Sequence, residues 1–302
     1  MSSVLSDLDV RRVIADEWGI ADASIDAHHL GMNSQTWFVI LDGAVRSVAK
    51  VVPDRSARQF DAALAVAARV ESCGIAAGAP FPTKRGRRVV VRHGSAIALL
   101  RFVPGARLVG DDASEQRIIG ATLAGAHRAL VGLDVPGADR FHWLDPDAAH
   151  LVIRPWLRPA ITAALATWER LPPGSLTWGP LHGDPAPEAF LLDATTGACG
   201  LIDWGAALVG PLLYDLASAV MYVNGPQHAS ALIDAYLSGG GMERSELERG
   251  LLPMLQLRWA VQADYFARRI ATNDLTGIAS PAENEKGLAD AAGELARLGN
   301  AR

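Results

Sequence analysis

Two short apolar runs with an acid beside each constrain this chain more than any other stretch: LHGDPAPEAFLLD (181–193) and GLIDWG (200–205). Phe190–Leu192 and Gly200–Ile202 read as strands flanking an Asp/Thr/Gly turn, so the chain must bring the segments around Asp184 and Asp203 together although 19 residues separate them. Neighbouring strands deliver the two carboxylates to one cleft, one fit to act as a base and the other as a metal ligand. Phosphoryl transfer needs that division, because a metal bridges the phosphates while a separate carboxylate orients or deprotonates the accepting hydroxyl. His182, two residues before Asp184, completes an H-x-D triplet that carries little information alone.

The texture on either side is uneven. Ser6 caps a helix over 6–17, and Asp42-Gly43 joins β-rich runs at Thr36–Leu41 and Val45–Val52 as a hairpin. A helix follows over 56–73 with Gly74 as its stop, and strands follow at Arg87–Arg92 and Ala96–Phe102. Beyond that, helices are predicted at Ser114–Leu130, Pro159–Arg170, Leu213–Tyr222, Gln227–Leu237, Arg244–Thr272 and Glu283–Leu298, with Val131–Ile153 irregular. The chain is thus α+β, with a small antiparallel sheet and helix over 1–103 and a larger, mostly helical part over 104–302.

Composition narrows the class. With 28 basic and 33 acidic side chains in 302 residues, the net charge of −5 and the 50% apolar content are those of a globular protein, not a nucleic-acid-binding arm or a disordered chain. The longest apolar stretch, Leu208–Val223, is broken by Gly210, Pro211 and Asp215, and the acidic N-terminus lacks the features of a signal peptide, so a cytoplasmic location without membrane contact is expected. The two cysteines, Cys73 and Cys199, cannot build a disulfide framework or a cysteine zinc site. Residues 1–104 carry +3 and the remainder −8, a split that suits a polyanion such as ATP beside a cationic substrate, although scattered solvated charges give the same count. Only Lys50, Lys84 and Lys286 are lysines, against 25 arginines.

HGDPAPEAF followed by IDWG resembles the catalytic and metal-binding loops of the protein-kinase-like small-molecule kinases, a group that includes the aminoglycoside phosphotransferases and the homoserine- and choline-kinase-like enzymes. Further segments resemble that family in the same order: GMNSQTWFV (31–39) its nucleotide-positioning loop, VAK (48–50) its lysine strand, LLRFVPG (99–105) its hinge and GPLLYDLA (210–217) its anchoring segment. The resemblance implies a two-lobe, protein-kinase-like fold and a Mg²⁺-dependent transfer of phosphate from ATP or GTP to a small-molecule hydroxyl. Gly31, Asn33, Ser34 and Gln35 would cover the phosphates, Lys50 would pair with them, Asp61 would hold Lys50 in place, and the backbone at Arg101 and Val103 would bind the adenine edge. Asp184 would accept the hydroxyl's proton, His182 would support its loop, Asp203 would ligate Mg²⁺ and Asp215 would brace the loop from behind. A surface lysine remains the plain alternative for Lys50, as an exposed helix acid does for Asp61.

Two departures stand out. The family pattern places Asn five residues after the catalytic aspartate, where its amide oxygen completes a metal site; here that residue is Ala189. Either one metal site is lost, or water or another oxygen replaces the ligand. The alternative to an enzyme is then a catalytically impaired pseudokinase that binds nucleotide in a regulatory role. The second departure is length: only 12 residues separate Asp203 from Asp215, too few for a peptide-docking segment, so a small molecule must enter between helices. Glu188 is the candidate contact for a cationic group on it, with Tyr222, Trp259, Asp264, Tyr265, Arg268 and Arg269 as candidate liners.

Overall fold

The structure, a computed structural model, describes residues 5–28, 34–172 and 174–300. α1 (Asp7–Trp18) begins at a closed capping box, in which the Asp9 N–H donates to the Ser6 hydroxyl oxygen and the Ser6 N–H donates back to the Asp9 carboxylate. β1 (Ser24–Ala27), β2 (Gln35–Leu41) and β3 (Ala44–Pro53) follow, then α2 (Ala57–Ser72), β4 (Val90–Arg92) and β5 (Ser95–Arg101). They form one antiparallel sheet in the order β1-β2-β3-β5-β4. Asp42 and Gly43 both take positive φ, 51° and 73°, as a two-residue hairpin turn requires.

The alternation along β2, β3 and β5 assigns the two faces. Trp37, Val39, Ala49, Val51, Ile97 and Leu99 bury against Val10, Val13 and Ile14 of α1. On the opposite face Ala96 and Ala98 pack under Phe60 and Leu64 of α2, while Lys50 lies directly across from Thr36 and Ala98. Strand pairing therefore places the lysine on the face away from α1. Lys84 serves α1 instead. Its ammonium donates to the Ala15 and Asp16 carbonyls at 3.2 and 3.0 Å, at the C-terminal end of that helix.

The remaining elements are β6 (Ala106–Arg107), α3 (Ala113–Leu130), β7 (Asp139–Arg140), α4 (Leu157–Glu169), β8 (Trp178–Leu181), β9 (Phe190–Leu192), β10 (Cys199–Leu201), β11 (Leu208–Pro211), α5 (Leu213–Tyr222), α6 (Ser230–Ser238), α7 (Arg244–Ala271) and α8 (Pro281–Asn300). Two three-stranded sheets, β10-β9-β6 and β7-β11-β8, sit among these helices. The segment expected to be irregular holds β7 and a short 3₁₀ turn at Ala149–Ile153. One large core joins α2 (Ala62, Ala63, Val66, Ala67, Val70) to residues of α3, α4, α5 and α7. Gln59 fastens the same helix to the region below: its amide donates to the Ala207 carbonyl, and its side-chain oxygen accepts the Asp139 N–H at 2.9 Å. The α+β architecture matches the expectation from sequence. Among the described residues no helix is long and apolar enough to cross a membrane.

Candidate active site

The site is built outward from a buried carboxylate. Asp215, in the first turn of α5, is fully buried and accepts the N–H groups of His182 and Gly183 at 2.7 and 2.8 Å. His127 Nε2 of α3 lies 3.0 Å from the same carboxylate, and the Tyr236 hydroxyl closes the chain 2.6 Å from His127 Nδ1. Gly183 has φ +89°, and a Cβ there would meet the Ala206 carbonyl oxygen at 2.0 Å, so only glycine lets the loop pass this close. His182 uses both ring nitrogens within the loops. Nε2 donates to the Ile202 carbonyl at 2.8 Å, and Nδ1 accepts the Asp184 N–H at 3.3 Å. One imidazole thereby ties the loop of Asp184 to the loop of Asp203 and has no nitrogen left for proton transfer.

Asp184 emerges half-exposed from this platform. Its Oδ1 accepts the Tyr222 hydroxyl at 2.6 Å and Arg258 Nη2 at 2.8 Å. Arg258, on α7, carries no sequence signal that would single it out. Its side chain is 4% exposed against 48% for Asp184, so the pair joins a buried cation to a half-exposed carboxylate. Nε donates to Ser218 Oγ at 3.0 Å and Nη1 to Gln262 Oε1 at 2.9 Å, which fixes the guanidinium plane. Burial acts to lower the Arg258 pKa, but Tyr214, Tyr222 and Asp184 outweigh it and raise it. Burial pushes the Tyr222 hydroxyl far above its ordinary value, with Asp184 and Glu188 adding to the rise against Arg258, so the phenol stays a donor.

Across the cleft, Lys50 forms an ion pair with Asp203. Asp203 has φ +69°, and the Lys50 ammonium holds its carboxylate below the usual range although partial loss of water around it opposes the shift. The expected partner of Lys50 is corrected here. Asp61 is taken by Arg88, whose Nε and Nη2 donate to its two oxygens at 3.1 and 2.6 Å, a bidentate pairing that an ammonium could not match. Glu71, further along α2, accepts the Ala77 and Ala79 N–H groups and pairs with Arg101 at 3.1 Å. Ala189 sits where the metal-site asparagine was sought: its carbonyl accepts the Ile202 N–H at 2.9 Å, one residue before Asp203, and its methyl group is buried. Among the described residues no three His, Cys, Asp or Glu side chains form a metal cluster. Asp203 as a lone hard carboxylate fits Mg²⁺, which keeps several waters and takes its other ligands from phosphates.

Gly31 and Asn33 lie outside the described residues. Ser34 precedes β2, and Gln35 opens that strand opposite Val51. At the other wall the Arg101 N–H is spent on the Ala79 carbonyl at 2.9 Å, which leaves its carbonyl and the Val103 main chain as the hinge groups that could meet a base. Phe38 and Phe102 meet edge to face beside this hinge, 6.2 Å between centroids; both lie inside the GMNSQTWFV and LLRFVPG segments, which gave neither of them a role.

The family model described as "Phosphotransferase enzyme family" matches residues 24–251. The chain belongs to that family. No curated protein matches it by sequence. Among solved structures it is similar to a microcompartment-associated aminopropanol kinase, with TM-score 0.76 and 19% identity over 97% of this chain and 96% of that one. It is also similar to the amicoumacin kinase hAmiN, at TM-score 0.73 and 13% identity over 96% and 93% of the two chains. Aminoglycoside 2'-phosphotransferase-IIIa in its GDP complex follows at TM-score 0.68 and 16% identity over 96% and 99%. The fold is thus that of the protein-kinase-like small-molecule kinases.

A cleft of about 380 Å³ lies between α5, α7 and α8, lined by Tyr222, Trp259, Gln262, Phe266, Glu283, Lys286 and Asp290 among others. Tyr222 belongs both to this cleft and to the Asp184 cluster. Glu188 is exposed and close enough for its charge to act on Tyr222. Two expected liners are corrected. Asp264 is buried and meets His150 Nε2 at 2.7 Å, so its charge is spent inside the helical packing. Arg269 is buried with Asn284 and the Thr276 carbonyl, away from solvent. Arg268 is exposed, and Tyr265 is half-buried against Arg269 and within electrostatic reach of Asp184. The contribution of α8 to this cleft had no motif to announce it.

Proposed function

We propose that this phosphotransferase moves the terminal phosphoryl group of ATP or GTP to a hydroxyl of a small molecule, with Mg²⁺, using residues 1–103 for the nucleotide and 104–302 for the acceptor. The observation that carries the reading is His182 joining the Asp184 and Asp203 loops while Lys50 docks on Asp203, because it sets a proton-accepting carboxylate beside a phosphate-binding pair. Mg²⁺, held by Asp203, would neutralise phosphate charge. Lys50 then exchanges Asp203 for the phosphates as a point charge, with Ser34 and Gln35 at the edge of the loop that covers them. The bond from the acceptor oxygen to the terminal phosphorus forms as the bond to the bridging oxygen breaks. That oxygen leaves on ADP or GDP, and the hydroxyl proton passes to Asp184. Phe38 and Phe102 offer aromatic surface to the base at the hinge of Arg101 and Val103.

Glu188, exposed beside Tyr222, supports an acceptor with a cationic group, such as an amino alcohol or an aminoglycoside-like compound. Aminopropanol kinase and aminoglycoside phosphotransferase share this fold. The buried methyl group of Ala189 supports a second reading, a nucleotide-binding pseudokinase. Acceptor-dependent release of ADP or GDP across amino alcohols, aminoglycosides, amino acids and sugars separates the two. Release that rises with one acceptor class establishes the enzyme, and nucleotide binding without release from any acceptor establishes the pseudokinase.

A further inference from the structure

The Asp184 carboxylate is not symmetric. Among the described residues its two side-chain hydrogen bonds, from Arg258 Nη2 at 2.8 Å and the Tyr222 hydroxyl at 2.6 Å, both fall on Oδ1. The group that makes the stronger contact cannot drift. Arg258 is held through Nε by Ser218, whose own hydroxyl donates to the Tyr214 carbonyl at 2.9 Å, and through Nη1 by Gln262. Its Nη2 also lies 3.1 Å from the Tyr222 oxygen, so guanidinium, phenol and carboxylate form a closed triangle. A structural ion pair has no need to leave its acid half-exposed while its cation is only 4% exposed.

We propose that Arg258 is a positioning residue for phosphoryl transfer, gripping Asp184 by Oδ1 so that Oδ2 alone meets the acceptor hydroxyl. This inference rests on the reading of Asp184 as the proton-accepting carboxylate. Three effects follow from the arrangement. The carboxylate loses its rotation about Cβ–Cγ, so the accepting lone pair is aimed before the acceptor arrives. A fixed positive charge lies next to the place where an anionic phosphoryl group and an ionised carboxylate approach each other, which reduces their repulsion. Tyr222 reports on the acceptor cleft with its ring and on Asp184 with its hydroxyl, so filling the cleft and aiming the base are linked through one side chain.

The experiment needs no knowledge of the natural acceptor, because water can take the hydroxyl's place. Slow hydrolysis of ATP to ADP and phosphate is measured for the wild type, Asp184→Asn, Arg258→Met and Arg258→Lys, together with nucleotide-binding stoichiometry and thermal unfolding of each. Misaiming a reacting group by about 1 Å costs on the order of 10²-fold. Arg258→Met should therefore lose about 10²-fold in kcat, with KM for ATP within twofold and one nucleotide still bound per chain. Arg258→Lys, which keeps the charge but not the fork, should recover at least tenfold of that loss. The inference is overturned if Asp184→Asn is inactive while Arg258→Met keeps kcat within fivefold of the wild type. It is also overturned if the Met and Lys variants lose activity equally and in step with lost nucleotide binding, which marks a purely structural arginine. Wild-type-like hydrolysis by Asp184→Asn, or none by the wild type, instead overturns the phosphotransfer reading of Asp184.

Discussion

Lys50 and Asp203, 153 residues apart in the chain, meet as an ion pair across the cleft, and no acid of α2 stands between them. On the proposed reading, nucleotide phosphates and the Asp203 carboxylate compete for one ammonium. Lys50→Met should therefore weaken the thermal stabilisation that ATP confers, read as a smaller upward shift in Tm at saturating nucleotide. An unchanged shift would remove Lys50 from the nucleotide site.

The same variant has a pH signature. The ammonium keeps Asp203 ionised below the ordinary carboxylate value of 3.8. A depressed folded-state pKa contributes stability that is present above that ordinary value and is lost as pH falls through the lowered one. Lys50→Met should thus flatten the acid limb of the stability curve below about pH 4, where carboxylates titrate. Urea unfolding of both proteins at steps between neutral pH and about pH 3 checks the sign, and a steeper limb in the variant would contradict it.

Asp215 is the stability keystone of the loop. Asp215→Asn replaces one acceptor oxygen by a donor facing the N–H groups that now converge on it, and each buried donor left unpaired costs about 1–3 kcal/mol. Denaturant unfolding should show a loss of that order, together with reduced activity. A loss below about 0.5 kcal/mol, the size of an ordinary surface change, would mean that the loop holds without the brace.

Gly183→Ala would place a methyl group 2.0 Å from the Ala206 carbonyl oxygen in a left-handed backbone conformation. The loops of Asp184 and Asp203 must separate to admit it. Activity should fall by orders of magnitude while the secondary structure, followed by circular dichroism, stays intact, and retained turnover would show that the two loops tolerate separation.

Ala189→Asn returns an amide oxygen to the segment whose carbonyl accepts the Ile202 N–H. Even an outer partner of a metal ligand commonly carries about 10–100-fold in metal affinity or activity. The substitution should lower the Mg²⁺ concentration for half-maximal activity by at least tenfold, read from turnover against free Mg²⁺. An unaltered Mg²⁺ curve would place Ala189 outside the metal site.

Much of the fold is legible in the sequence because local signals agree with it. The Asp42-Gly43 hairpin, the Ser6 cap and the α5 limits Leu213–Tyr222 all follow from residues next to one another. β8 and β11 escape detection for a physical reason: WGPL and LVGP hold Gly and Pro, lack alternation, and become strands through distant pairing, Leu181 opposite Leu208 and Leu208 beside Asp139 of β7. Asp61 misleads because helix position says which face a carboxylate occupies but not that Arg88, 27 residues on, will claim it. Arg258 gives no signal at all. It is one arginine among 25, and its meaning lies in contacts with Ser218, Tyr222 and Asp184 from two other segments.

The grip of Gln59 on Ala207 and Asp139, with the alanine-rich flank of α2 sunk in the large core, makes that helix a passenger of the lower body. Its contact with the sheet is a smaller cluster, in which Phe60 and Leu64 meet Ala96 and Ala98 with Val52, Val89 and Leu100 packed around them. α2 is therefore the link between the sheet that carries Lys50 and the body that carries Asp203, and packing on its two flanks holds the two charges within reach of each other.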